Sequence, residues 1–175
     1  MSVDTVEPWL RGTLDEVAAV QRAVLHALEL AAEDIEKSCG GLSDEERNAR
    51  PFGVAPVAFH LRHIARSLDR LLIYAEGRDL SDEQLGALKT ELATGASRED
   101  LFAELSAAIA GSSIRIRAFD ASRLDEPRAV GRRQLPTTIG GLLVHMADHT
   151  QRHVGQAITT SKIIRGMQSN SEGNR

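Results

Sequence analysis

Three histidines recur at every fourth residue near the end of the chain, at His145, His149 and His153. A step of four residues advances the face of a helix by only about 40°, so the three imidazoles share one stripe of a helix. Imidazoles one turn apart are a standard pair of ligands for a divalent metal. An earlier segment carries His60 and His63, three residues apart. If the two segments form neighbouring helices, imidazoles from both can converge on one metal ion.

A metal held by three neutral imidazoles keeps a fourth coordination position for water or substrate, which is typical of a catalytic zinc site. The spacing does not choose between His145–His149 and His149–His153 as the pair of ligands. Other interpretations stay open, because imidazoles also titrate near neutral pH and facing histidines can hold haem. His26 stands alone in its segment, and we interpret it as a hydrogen-bonded core residue.

Several catalytic motifs are absent from the sequence. It holds no His-Glu-x-x-His, no Glu-x-x-His, no Cys-x-x-Cys, no P-loop and no Gly-x-Gly-x-x-Gly, which argues against metalloprotease, di-iron carboxylate and nucleotide-binding sites. The single cysteine, Cys39, stands beside Gly40 and Gly41 at the predicted end of a helix. Because a helix C-terminus does not lower the pKa of a thiol, we interpret Cys39 as a small packing residue.

The composition is that of one globular domain. The chain has 175 residues, of which 42% are hydrophobic and only 3% aromatic, and this predicts a core of Leu, Ala, Ile and Val in helices. The net charge of −4 offers no basic face for a nucleic acid. A single cysteine favours a reducing compartment, and no apolar run approaches the length of a membrane span, about 20 residues. Because the amino-terminal segment also lacks the regions of a signal peptide, we expect a cytoplasmic protein without nucleic-acid or membrane partners.

Hydrophobic periodicity predicts four long amphipathic helices with short helices between them. The first long helix carries an apolar stripe that begins with Leu14, Val17 and Val20. Ser43 opens a short helix, with Glu46 three residues later as a capping box. The long helices are expected over residues 10–41, 56–77, 96–121 and 137–166, and a second short helix follows Ser81.

The segment before the last long helix, residues 122–136, has no sustained period and is expected to be a connection with a short extended pair around Gly131. Together these elements predict an all-α fold: a four-helix bundle with short additional helices and a long connection before the last helix. We place the bundle domain at residues 1–165 and a polar tail at residues 166–175.

Two stretches, "FHLRHIARSLDRLL" and "LLVHMADHTQRHVGQ", resemble the DinB-like (damage-inducible) superfamily of metal-binding four-helix bundles. The resemblance extends from the first helix to about Ile164. Its most specific part is the pattern His-x-x-x-His-x-Gly-Gln, which ends at Gly155 and Gln156, together with the His-Ile pair on the second long helix.

The resemblance implies that the second and fourth long helices supply three histidines to one divalent metal, often zinc or nickel. Matched residue by residue, the ligands are His63, His149 and His153. His60 and His145 lie outside this set of three, one turn before His63 and His149. We predict that they are catalytic residues that line the same cavity, carry protons or hydrogen-bond a ligand.

Related proteins include thiol S-transferases that use low-molecular-weight thiols such as bacillithiol, and mycothiol-dependent maleylpyruvate isomerases. The resemblance therefore implies a homodimeric, metal-dependent transferase or isomerase that uses a small thiol cofactor and a small-molecule substrate. The alternative is a non-catalytic stress-response module in which the metal is structural and its binding energy stabilises the fold. Four arginines are interpreted as a solvated helix face, or as groups that hold an acidic substrate: Arg62, Arg66, Arg70 and Arg152.

Overall fold

The structure is a computed structural model that describes residues 6–172, without the side chains of residues 170–172. Within this range, four long and two short helices are joined by short connections, 3-10 turns and one hairpin. In chain order the elements are α1 (Ala19–Cys39), α2 (Asp44–Asn48), α3 (Val57–Ala75), α4 (Asp82–Leu88), α5 (Arg98–Ala118), β1 (Pro127–Val130), β2 (Leu135–Thr138) and α6 (Ile139–Glu172).

The four long helices form the predicted bundle. Helix α3 packs against both α5 and α6, and α1 packs against α6 and, less extensively, against α5. The core between them is almost wholly aliphatic and includes Leu28, Leu61, Leu68 and Leu143. Burying one such side chain contributes about 1.5–3 kcal/mol, so the apolar core holds α3 beside α6. Among the described residues, no helix has both the length and the apolar composition that crossing a membrane requires.

Capping residues start the two short helices and α6 where the sequence predicts. At Ser43 the hydroxyl accepts from the Glu46 backbone N–H, and the Glu46 carboxylate accepts from the Ser43 N–H, which completes a capping box. Ser81 forms the same arrangement at the start of α4. At the start of α6, Thr138 Oγ1 accepts from the Gly141 N–H at 3.0 Å. These caps satisfy amide groups that a helix start leaves unpaired.

Helix α1 begins at Ala19, so the predicted start near residue 10 is wrong. Leu14 adopts a left-handed backbone with φ of 62°, which a continuous helix does not permit. Leu14 and Val17 pack against the core from this irregular segment, whereas Val20 is exposed. The apolar spacing therefore extends upstream of α1 because side chains of the preceding loop pack into the same core as those of the helix. Arg11 anchors this loop along α1 through ion pairs with the carboxylates of Glu29 and Glu33.

The extended pair around Gly131 is confirmed as an antiparallel hairpin of β1 and β2, with Val130 opposite Leu135. Gly131 takes a φ of 68° in the turn, which glycine adopts without steric cost. The hairpin continues directly into α6, where the Gly140 N–H donates to the Leu124 carbonyl at 2.8 Å. The hairpin and the residues just before it thereby hold the first turn of the histidine-bearing helix.

Helix α6 continues to Glu172, beyond the expected end near Gly166. The side chain of Arg165 donates to the Ser38 carbonyl at 3.1 Å, and Ser169 Oγ donates to the Arg165 carbonyl. These contacts keep the last turns helical and close to the end of α1. The predicted tail thus begins inside a helix, and its residues 173–175 lie outside the described part of the chain.

Candidate metal centre

The five clustered histidines lie on two helices that pack side by side, α3 and α6. One ligand nitrogen from each of His63, His149 and His153 lies within 4.8 Å of the other two. The Nε2 atoms of His63 and His149 are 2.9 Å apart. This geometry brings histidines of the second and fourth long helices together, and the members of the group of three on α6 are His149 and His153.

The spacing of these nitrogens fits a divalent metal. With Zn–N bonds of about 2.0–2.1 Å, two nitrogens of a tetrahedral zinc site lie about 3.3 Å apart. The nitrogens of His63, His149 and His153, one pair of which is 2.9 Å apart and all of which lie within 4.8 Å of one another, are compatible with this separation. Three imidazoles from the protein leave room for a fourth ligand, which is the arrangement of a catalytic rather than a closed structural site.

A carboxylate that no sequence motif indicates, that of Glu91, contacts the candidate ligand His63. Glu91 Oε2 lies 2.7 Å from His63 Nδ1, and the Glu91 side chain is only 6% exposed. Glu91 belongs to the connection after α4 and is separated from His63 by 28 residues. No period or motif links the two positions, so the contact follows from the packing of that connection on α3.

His60 is buried and contacts the third member of the cluster. Its Nδ1 atom is 3.0 Å from Nδ1 of His153, so one of these nitrogens donates a hydrogen bond to the other. Burial, followed by the neighbouring His153 and His63, lowers the pKa of His60 to about 4. His60 is therefore neutral at pH 7, and its Nδ1 can accept from His153 Nδ1–H and leave His153 Nε2 free for a metal.

His145 is exposed and lies outside the group of three. Its ring centroid is 5.6 Å from that of His149, one helical turn away. The two α6 members of the group are partly buried. Burial is the largest cause that lowers the pKa of His149 and of His153 to about 4, with neighbouring imidazoles adding to it. Both side chains are thus in the neutral form that binds metal at pH 7.

These low pKa values predict that the metal-free protein loses stability in mild acid. The folded chain keeps His60, His149 and His153 neutral down to about pH 4, whereas the unfolded chain binds protons near pH 6.5. Unfolding then takes up protons, so this contribution to stability is complete above about pH 6.5 and is lost as pH falls toward 4. We expect the Tm of EDTA-treated protein to fall between pH 7 and pH 5, before the carboxylates titrate, in scanning calorimetry.

The control for this pH effect is a double variant, His149→Gln with His153→Gln, compared with His145→Gln outside the group of three. The double variant should show a shallower fall in Tm over the same range, and His145→Gln should follow the unsubstituted protein. Equal slopes in all three proteins would contradict the assignment of the pH dependence to the cluster.

A cavity of about 660 Å³ opens beside the cluster, within the size range of small-molecule sites. His60 lines it from α3, and Arg152 supplies the positive charge of its lining. Arg152 also pairs with the exposed Asp148 one turn earlier. A larger cavity of about 910 Å³ lies along α1, but its lining is rich in acidic residues and holds no histidine. The remaining lining of the cavity beside the cluster is mostly small, polar or apolar: Val54, Ala55, Gly155, Gln156, Thr159, Thr160 and Ile163.

The predicted solvated arginine face is wrong for three of its four members. Arg62 is buried, and Arg62, Arg66 and Arg70 all donate hydrogen bonds to the connection that follows α4. These three guanidinium groups bind acceptors of the protein itself. Arg152 is exposed, as predicted.

Two further sequence interpretations are confirmed. Cys39 is fully buried in the core, and burial raises the pKa of its thiol to about 11, so it is an inert packing residue. His26 is buried, and its Nε2 lies 3.1 Å from Thr13 Oγ1. His26 is thus a hydrogen-bonded core residue.

Comparisons with known proteins give the same fold. A family model described as the DinB superfamily matches residues 27–157. Among solved structures, "Crystal structure of the conserved protein of locus from Enterococcus faecalis" is similar, with a TM-score of 0.71 and 20% sequence identity over 85% of this chain and 99% of that one. At this identity the likeness shows the fold alone. No curated protein sequence matches this chain.

Proposed function

The chain belongs to the DinB superfamily, and from this premise we propose that it is a divalent-metal-dependent enzyme, a transferase or isomerase that uses a small thiol cofactor. The observation that carries the proposal is the convergence of His63, His149 and His153 beside a cavity of about 660 Å³. When bound there, a zinc or nickel ion would lower the pKa of a thiol and hold it as the thiolate.

In this proposal some residues of the chain bind the metal, and others hydrogen-bond the ligands or transfer protons. His63, His149 and His153 hold the metal, and neutral His60 accepts the hydrogen bond that orients His153. With Nδ1 accepting from His153, neutral His60 carries its proton on Nε2. Because His60 also lines the cavity, this N–H can donate a hydrogen bond to a bound molecule. The exposed His145, one turn from His149, is placed to pass protons between the site and solvent.

The cavity would hold the organic part of the thiol or of its acceptor. Its wall of small and apolar groups accommodates a compact molecule, and Arg152 favours one with negative charge near the opening.

The proposal is tested with full-length protein loaded with zinc or nickel, several low-molecular-weight thiols and monochlorobimane as the electrophile. Titration with the active thiol should change the absorption of the nickel form, and an unchanged spectrum with every thiol would count against the proposal.

Gly155 offers a variant that tests the cavity separately from the metal. A Cβ atom built at Gly155 meets nothing within 4 Å and Gly155 lines the cavity, so Gly155→Phe is expected to place its ring in the cavity. We expect metal content to stay near one ion per chain and kcat/KM for thiol transfer to fall by about tenfold or more, because a misfit in a binding pocket has this magnitude.

The matched control is Gly166→Phe on the same helix, where a Cβ atom also meets nothing within 4 Å and which does not line the cavity. Gly166→Phe should keep full kcat/KM. If both variants retain full activity, the cavity beside the cluster is not where the thiol or its acceptor binds.

A further inference from the structure

Three arginines on one face of α3 hold the connection that follows α4. Arg62, Arg66 and Arg70 recur at every fourth residue, so their side chains form one stripe along the helix. All three donate to acceptors in residues 87–93, and the stripe passes directly beside His63. The bonds are Arg62 Nη1 to Glu91 O at 3.0 Å and Ala93 O at 2.8 Å, Arg66 Nη1 to Ala87 O and Thr90 Oγ1 at 2.8 Å each, and Arg70 Nη1 to Glu91 Oε1 at 2.7 Å.

This arrangement places one buried carboxylate between an arginine and a histidine. Glu91 accepts from Arg70 on Oε1 and contacts His63 Nδ1 with Oε2, each at 2.7 Å. A carboxylate that is only 6% exposed is costly unless its charge is paired and its oxygens are hydrogen-bonded. Both conditions are met here, so Glu91 has a defined position.

The Glu91 contact determines which nitrogen of His63 carries the proton. A carboxylate accepts hydrogen bonds and does not donate them, so the proton lies on His63 Nδ1. The lone pair of the ring is then on Nε2, the atom that lies 2.9 Å from His149 Nε2. Glu91 therefore presents to the cluster the nitrogen that a metal needs.

We propose that Glu91 is a positioning residue for the metal ligand His63, and that Arg70 positions Glu91 in turn. The inference rests on the metal centre of the proposed function. It adds the residues that hold the imidazole of His63 in position. Carboxylates in this position orient the imidazole and increase its basicity, and their removal typically weakens metal binding by about 10–100-fold. The arginine stripe affects His63 indirectly, because it holds the segment that carries Glu91.

The test is the zinc affinity of the full-length, metal-free protein, measured by competition with a chromophoric chelator. Glu91→Gln keeps the size of the side chain and removes its charge, and we expect it to bind zinc about 10–100-fold more weakly. The matched control is Glu104→Gln, because Glu104 pairs with Arg66 on the same face at 2.8 Å and contacts no histidine. Glu104→Gln should bind zinc like the unsubstituted protein.

Two additional measurements separate positioning from a general loss of structure. The visible spectrum of the cobalt-loaded protein reports ligand geometry, and it should change in Glu91→Gln and not in Glu104→Gln. Arg70→Gln leaves Glu91 in place but removes its arginine, so it should weaken zinc binding in the same direction and by a smaller factor. Arg70→Gln also serves as the decisive variant if Glu91→Gln does not fold.

The outcomes distinguish this inference from the proposed function. If the unsubstituted protein binds no zinc or nickel, the metal centre itself is wrong. If that protein binds zinc while Glu91→Gln and Arg70→Gln bind it equally tightly with unchanged cobalt spectra, the role of Glu91 is overturned and the metal centre stands. Equal weakening in Glu91→Gln and Glu104→Gln would also overturn it, because the effect would then belong to the charged face as a whole.

Discussion

Replacing His63 or His153 by alanine is expected to remove the near-stoichiometric metal from the purified protein. Each variant leaves two of the three converging imidazoles, and metal affinity depends on the number of ligands that a folded protein presents together. Neither side chain belongs to the apolar core, so both variants should remain helical by circular dichroism. Elemental analysis of purified protein gives the metal-to-chain ratio, which should fall from near one to near zero.

His145→Ala is the matched control for these variants. It removes an imidazole from the same helix, but His145 is exposed and lies outside the group of three. Its metal content should equal that of the unsubstituted protein. Retention of metal in His63→Ala, or its loss in His145→Ala, would show that other residues are the ligands.

Removing the metal with EDTA is expected to abolish thiol transfer and to leave the bundle folded. The core between the four long helices is continuous and aliphatic, so α3 and α6 stay packed without an ion. A metal present at about 100 times its Kd stabilises the native state by about 2.7 kcal/mol. At about 2–4 °C per kcal/mol for a chain of this size, the Tm should fall by about 5–11 °C while the helical signal at room temperature is unchanged.

This experiment separates the enzyme from the structural alternative. A purely structural metal predicts that chelation melts the helices, and that no thiol reacts faster in the loaded protein than in the metal-free one. Zinc added back after chelation should restore both the Tm and the rate, whereas added magnesium, which prefers oxygen ligands, should restore neither. Loss of helical signal on chelation, with no activity in either form, would support the stress-response module.

The helix starts and the bundle were predictable because their causes are local. Capping residues such as Ser43 and Ser81 act on amides within three residues, and the apolar period of a helix is visible in a short window. The start of α1 was not predictable in this way. Leu14 continues the apolar spacing, but it reaches the core from a loop with a left-handed residue, and spacing alone does not distinguish a loop from a helix.

The candidate ligands were also predicted before the structure. Spacing allowed His145–His149 or His149–His153 as the pair, and the resemblance indicated His63, His149 and His153. The residues that contact and orient these ligands could not be predicted from the sequence. Glu91 meets His63 across 28 residues, and His60 meets His153 across 93, so each contact exists only because α3, α6 and the connection after α4 pack together. Residue spacing along one helix is set by the geometry of the backbone and can be read from the chain. The partner that a side chain finds across the bundle depends on how distant segments pack, and it became known only with the three-dimensional arrangement.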